Sequence, residues 1–410
     1  MKKIDLQAYV TYKNLVILSL AALLLRLIFA VLTRHTIHSA EDFLIAQNLV
    51  SGLGYTFDIN VGATALKAPI YPLFLAGIIT VFEQHAPLVA AIIQHCLLGI
   101  VPLLLARFAR ECKAEKLGLL TGFLFLIHPT YFYYPNVLEV TNLFVPLSLG
   151  WGILSVLMWR SSSVKYGVMW GITSGIMILT QPLSLPFVGV LCCAFAYKRT
   201  YKILFVSLVA CALVFAPWVT RNYIVFHKLI PTKSAFWMNF YVGWLPQNHG
   251  RSEFACLPDS TRHRIDSLVQ IKNDVELEPE YKSAFLTTVA HNPSLFAQKI
   301  IWQAGVFWWI PNRYSSDTSL GFLIVRKLPV IVLNFAWCLS VVFIYKHHKR
   351  LALLSIMALL YFTCIYALTQ TANIRFKLDI EWIELFAVAA FIHYLLYNDK
   401  QLTPQKDTAL

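Results

Sequence analysis

Ten stretches of this chain are apolar over about the length that a helix needs to cross a bilayer: 13–33, 86–106, 117–134, 138–159, 164–180, 183–197, 201–219, 328–345, 350–369 and 380–397. That repetition leaves little room for a water-soluble fold. Of the 410 residues 58% are hydrophobic and 13% charged, which excludes a string of soluble domains. The chain reads as an all-α polytopic membrane protein whose first partner is the lipid bilayer. Its formal net charge of +13 raises the question of nucleic acid. In a membrane protein, however, basic connectors first fix orientation, and no nucleic-acid partner is expected. Seven of the eight cysteines fall in or beside apolar segments and only Cys256 stands in the large polar loop, so no disulfide framework is implied. The opening MKKIDLQAYVTYKN places lysines ahead of a spanning-length core with no small-residue cleavage site, and reads as the lead-in to an uncleaved first helix.

An eleventh apolar stretch, 67–84, decides the topology. If it spans, Arg107, Arg110, Lys113 and Lys116 fall on the outside. If it lies along the outer membrane surface, every basic connector falls on one side, from Lys2, Lys3 and Lys13 through Arg160, Lys198 and Lys349 to Lys400. The second arrangement is the expectation: about ten (10–11) transmembrane helices, both ends cytoplasmic, and amphipathic juxtamembrane helices in a first outer loop, 34–85. The chain then divides into a transmembrane core with that loop (1–219), a large outer loop region (220–327), and C-terminal transmembrane helices with a short tail (328–410). The polar middle of the large loop, HGRSEFACLPDSTRHRIDS, reads as a mobile loop, and EPEYKSAFLTTVAHNPSLFAQKIIWQAGVFWWIP as helical. The expected location is the cell inner (cytoplasmic) membrane, with the periplasmic face active.

The first loop carries the densest chemistry. Ser39 is a good N-cap, with Asp42 three residues on. Phe43, Ala46, Leu49 and Leu53 then share one helical face, and Gly52 and Gly54 end the helix. Glu41 and Asp42 either complement the start of that helix or serve as a general base or metal ligand at the membrane surface. Lys67 precedes Pro69 at the start of the next helix, a natural seat for phosphate. Glu139 stands at the mouth of a later helix, opposite the first loop, where an acid is costly. Lys67, Arg221 and Arg375 each lie where a helix meets an outer loop, and their convergence would make a site for an anion, most economically a lipid-linked phosphate. Arg326 and Lys327 read instead as interfacial side chains reaching lipid phosphates. His95, His128 and Gln181 read as packed, hydrogen-bonded residues.

The order of motifs resembles the bacterial membrane glycosyltransferases of the GT-C superfamily. The likeness is greatest to the glycosyltransferase family 39 group, related to protein O-mannosyltransferases and the lipid A aminoarabinose transferase. LLRLIFA, IAQNLVSGLGYTF, KAPIYPLFLAG, HPTYFYYPNVLEVTNLF, GITSGIMILTQP, APWVTRNYIVFHKLIPT, NFYVGWLP, HNPSLF and IRFKLDIEW carry it, from about Leu24 to Tyr394. The resemblance implies a GT-C-type bundle and transfer of a sugar from a polyprenyl-phosphate donor to a glycan, lipid or protein acceptor outside the membrane. It implies that Lys67, Tyr71 and Arg375 hold the phosphate and that Arg221, Asn222 and Tyr223 line the site. Glu139 matches the family's second acidic position. The family's first-loop acid falls on His38, which leaves the base open among His38, Glu41 and Asp42. A divalent cation, Mg²⁺ or Mn²⁺, is compatible with carboxylates near a phosphate, but no ligand spacing demonstrates a metal site. Two other readings compete: a GT-C-like scaffold that binds lipid-linked sugar without turnover, and a lipid or sugar flippase. The flippase expects charges near mid-membrane and repeated halves, whereas the acids and bases here gather at the outer surface.

Overall fold

A computed structural model describes residues 9–34, 36–38, 40–245, 257–309, 319–347, 349–369 and 374–397. The protein is a multi-pass helical membrane protein. Helix α1 (Tyr12–Thr33) starts at Thr11, whose side chain accepts from the Asn14 N–H, and stops at Arg34 in a left-handed conformation. Leu20, Leu24, Leu25 and Leu32 on it are 58–78% exposed, a face that suits lipid and not water. By length and composition, six stretches can cross a membrane: Tyr12–Thr33, Ile70–Glu111, Thr141–Ser161, Tyr201–Phe226, Leu323–Lys346 and Lys349–Leu368. The other expected spans coincide with shorter helices of 13–17 residues.

The first loop holds two helices joined by turns. Helix α2 (Ala40–Val50) ends before Gly52 and Gly54, both at positive φ, near +78°. Ser39, the expected cap, lies outside the described residues. Leu53 lies beyond the helix end and is 51% exposed, so it does not continue the apolar face; Ala46 is fully buried and carries it. Helix α3 (Ile70–Phe82) has 13 residues. That is roughly 20 Å of helix, short of the ~30 Å hydrocarbon core. It breaks at Glu83, whose φ is +46°, and α4 (Ala86–Gly99) and α5 (Val101–Glu111) follow. Tyr71, Leu75, Ala76 and Ile78 of α3 pack with Ala46 of α2 and with Ala86, Ala90 and Ala91 of α4. The loop therefore doubles back over the end of α4.

Helix α6 (Glu115–Ile127) and the short α7 (Pro129–Tyr133) lead to the second corner. There β2 (Val137–Leu138) pairs in parallel with β1 (Ile37–His38), His38 opposite Leu138. Helix α8 (Thr141–Ser161) returns, and α9 (Val164–Thr180) packs closely on α11 (Tyr201–Phe226), with α10 (Leu185–Tyr197) between them in sequence. The close approach is made by Gly167, Gly171 and Gly175, spaced four apart on one stripe. A Cβ on Gly171 would collide with the Ser207 carbonyl.

Helix α11 runs on to Phe226, past the expected end at 219, and leads to α12 (Phe236–Val242). Part of the stretch expected to be a mobile loop is helix α13 (Asp259–Val269); residues 246–256 lie outside the described set. Helix α14 (Asp274–His291) starts with a full capping box, Asn273 with Glu276, and α15 (Pro293–Trp309) begins after Asn292. A π turn, Leu323–Lys327, opens α16 (Leu328–His347), then α17 (Lys349–Leu368), α18 (Ile374–Leu378) and α19 (Glu381–Tyr397) complete the chain.

The expectation for Arg326 fails. It is completely buried and bonds Glu381 at 2.8 Å and Thr130 at 3.3 Å, because the acid at the start of α19 offers it a partner that lipid phosphate would otherwise supply. Lys377 pairs with Glu384, also buried, under the Trp308 ring. His128 lies 3.6 Å from Glu381, and Gln181 donates to Asp379 at 3.1 Å. The Tyr131 hydroxyl donates to the Leu378 carbonyl at 2.8 Å. These contacts fix α18 and the start of α19 against α7 and the end of α9.

Candidate functional site

A cavity of about 510 Å³ opens where the first loop, the end of α9, the segment after α11 and the end of α17 meet. Asp42, Lys67 and Tyr71 line one wall, from the first loop. Gln181, Leu183 and Leu185 line another, Lys233 and Asn239 a third, and Tyr361, Tyr366 and Phe376 the fourth.

The first wall is held together by charge and by a clamp behind it. Asp42 stands in the first turn of α2 and is 4% exposed. Lys67 places its ammonium 2.5 Å from Glu41 and 3.8 Å from Asp42. The Lys67 backbone is itself fixed, because the Tyr55 hydroxyl donates to its carbonyl at 3.1 Å. Tyr55 packs edge-on against Trp218, and burial, then the charge of Asp42, push its phenol well above its ordinary pKa. It therefore stays a donor.

Arg221 explains why this loop is rigid, and that is a different part from the one expected of it. Its guanidinium donates to the Thr64 carbonyl at 2.8 Å and to the Tyr55 carbonyl at 3.1 Å, and lies 5.2–5.3 Å from the ring centres of Tyr55, Trp218 and Phe226. It binds backbone, and does not line the cavity. Asn222 is buried and donates to the Ile230 carbonyl at 2.8 Å, turning the chain after α11; Tyr223 is 60% exposed on the helix. Of the cations expected to converge on an anion, Lys67 alone is placed on the cavity by its described side chain. The Arg375 backbone lies in α18, next to Phe376, whose ring stacks on Tyr366 at 4.1 Å, while the Arg375 side chain is outside the described residues.

Tyr71 presents its ring to the cavity and donates its hydroxyl to Gln94 at 2.8 Å; Gln94 in turn donates to the Pro135 carbonyl at 2.8 Å. That chain ties the first loop to the second corner. Glu139 is 6% exposed, stands between β2 and the cavity-lining Val140, and is within electrostatic reach of Tyr71, as is Asp42. The parallel β1–β2 pair brings the backbone of His38 alongside Leu138, one residue from Glu139; the His38 side chain is not described. The structure thus gathers Asp42, Lys67 and Tyr71 on the cavity, keeps Glu139 within electrostatic reach of Tyr71, and leaves Arg221, Asn222 and Tyr223 off the cavity lining.

Among the described residues no three His, Cys, Asp or Glu side chains converge as metal ligands. Lys67 occupies the space between Glu41 and Asp42 that a dication would need. These residues do not fit a Mg²⁺ or Mn²⁺ cradle.

Asp274 was not legible as part of the site. Its carboxylate accepts from the Thr64 hydroxyl at 2.5 Å, the Ala65 N–H at 3.0 Å and the Ser234 hydroxyl, so it joins the large loop to the first one. The signal was present only as NDVE, a capping pattern. Gln181 was read correctly as hydrogen-bonded, but not as a cavity wall. Lys233 and Asn239 gave no signal beyond a short polar segment before aromatic residues.

Two solved structures of the oligosaccharyltransferase of Archaeoglobus fulgidus are similar to this chain. One, tethered with an acceptor peptide containing the NVT sequon, matches at TM-score 0.52 and 13% identity, over 92% of this chain and 49% of that one. The other, named AglB and in complex with an inhibitory peptide and a dolichol-phosphate, matches at 0.51 and 14%, over 96% and 52%. The chain shares the overall helical membrane fold of these two structures. No family model and no curated protein matches the chain by sequence. The chain spans about half the length of these solved structures.

Proposed function

We propose that this protein is a glycosyltransferase that moves a sugar from a polyprenyl-phosphate-linked donor to an acceptor hydroxyl at the outer face of the cell inner membrane. The observation that carries this reading is the joint placement of Asp42 and Lys67, 3.8 Å apart, on one wall of a cavity that also presents apolar and aromatic residues and a few polar ones. An apolar cavity with a few convergent polar groups is the form a ligand site takes. One carboxylate and one ammonium supply what the transfer needs: a proton acceptor and a counter-charge for the leaving phosphate.

Asp42, nearly buried and on the cavity, takes the part of base, ahead of Glu41, which is 40% exposed in its side chain. The acceptor oxygen forms its bond to the anomeric carbon as its proton passes to the Asp42 carboxylate. The anomeric C–O bond to phosphate breaks with its electron pair, and the polyprenyl phosphate leaves with its new charge facing Lys67. Attack opposite the leaving group inverts the anomeric centre. Glu139, within electrostatic reach of Tyr71, adds acidic character nearby, and Leu183, Leu185 and Pro186 give the apolar wall for the isoprenoid chain.

Asp42→Asn keeps the shape and removes the base. In membranes supplied with a radiolabelled polyprenyl-phosphate sugar, it lowers transfer roughly 100- to 10,000-fold while leaving binding of the donor lipid within a few-fold. Transfer at the native rate by this variant rejects Asp42 as base, and failure of native protein to bind any polyprenyl phosphate rejects the donor class.

A further inference from the structure

The first-loop wall by itself is poorly suited to an anion. Glu41 and Asp42 contribute two negative charges and Lys67 one positive, a net of −1, and Lys67 already faces both carboxylates. A phosphate brought to this wall would meet repulsion unless another cation stood close by.

Tertiary structure supplies one from 166 positions further along the chain. The turn between α11 and α12 is pinned on both sides of residue 233. The Thr232 carbonyl accepts from the Trp218 indole N–H at 2.6 Å. The Ser234 N–H donates to the Ala65 carbonyl at 2.9 Å, and its hydroxyl donates to Asp274. Ala65 lies two residues before Lys67. The segment carrying Lys233 is therefore laid directly beside the segment carrying Lys67, and both lysines line the same cavity.

We infer that Lys233 is a phosphate-binding residue of this cavity, a second cation beside Lys67 that seats the phosphate of a polyprenyl-linked ligand. The inference rests on the proposed donor class and adds to it a residue outside all the motifs that carry the family resemblance. The chemistry recognised is a phosphate ester at the head of an apolar chain, because Lys233 and the apolar residues Leu183, Leu185 and Leu368 line one cavity.

The test uses full-length protein in nanodiscs and calorimetric titration with three probes: farnesyl phosphate, farnesol and inorganic phosphate. Lys233→Gln is expected to weaken farnesyl phosphate roughly 10- to 100-fold, the range for loss of one charge-assisted hydrogen bond. Farnesol binding stays unchanged, which also reports that the variant folds, and Lys233→Arg stays within a few-fold of native. Lys67→Gln serves as the second arm. Native affinity in Lys233→Gln with lost affinity in Lys67→Gln overturns the role of Lys233 and leaves the donor class standing. Native affinity in both overturns the cavity as the donor site and this inference with it. Inorganic phosphate bound as tightly as farnesyl phosphate, with the same dependence on Lys233, makes this a site for a soluble anion and overturns the lipid assignment.

Discussion

Lys67→Met separates what the lysine does for the fold from what it does for chemistry. The side chains of Lys67 and Asp42 are 16% and 6% exposed and their charges stand 3.8 Å apart. At an effective dielectric constant of about 20, that separation corresponds to an attraction of roughly 4 kcal/mol. The Glu41 pair is shorter, but Glu41 is 40% exposed and contributes no more than about 1 kcal/mol. Removing the lysine leaves Asp42 charged and nearly buried, at a cost of about 3–4 kcal/mol. Replacing Asp42 by Asn in the same molecule removes the stranded charge. The double variant Asp42→Asn with Lys67→Met is therefore expected to recover most of that loss, with a coupling of about 2–3 kcal/mol. Thermal melts in detergent give the order: native highest, the double variant next, Lys67→Met lowest. Sugar transfer is absent from both variants, since a restored fold does not restore the cation. A double variant that melts below Lys67→Met would mean that the two residues contribute independently, and the pair would lose its place in the site.

Two further outcomes follow from residues behind the cavity. Lys299 on α15, outside the helices long and apolar enough to span, is fully buried, bonds the Thr369 carbonyl at 3.1 Å, and is pushed by burial down to about 7. Its folded pKa lies below the ordinary lysine value of 10.5, so its destabilising effect is full below pH 7 and disappears as pH rises from 7 to 10.5. Lys299→Met should accordingly melt higher than native protein at pH 6, with the gap closing toward pH 9; a gap independent of pH refutes the assignment. Arg221→Gln removes the bonds to the Thr64 and Tyr55 carbonyls and should weaken donor binding about tenfold by loosening the loop that carries Lys67. Tyr223→Phe, on the exposed face of the same helix, should leave donor titrations at the native value.

The fold was legible where physics acts locally. Apolar length gave the helices, and the stretch 67–84, expected from the basic connectors to be a surface element, holds the 13-residue α3 packed on α2. Positive φ at Gly52 and Gly54 ended α2 where the glycines stood. What was not legible depends on partners distant in sequence. Arg326 looked like an interfacial cation because nothing near it in the chain announces Glu381, 55 residues away. Arg221 looked like a ligand for phosphate because an arginine beside a loop can bind any oxygen, and only the folded chain shows that the oxygens are backbone carbonyls. The cavity gathers Asp42 from one segment, Gln181 from another and Lys233 from a third, and no local pattern joins them.

The buried pair of Arg326 and Glu381 also constrains how the chain can be made. Arg326 opens α16, and its partner is not synthesised until α17 has been completed and α19 begun. Until then an arginine one turn inside an apolar helix would cost about 2.5–3.5 kcal/mol in the hydrocarbon. Packing of α19 brings Glu381 to this arginine and offsets that cost. The pair thus ties α16 to the start of α19, and losing Glu381 strands a buried arginine.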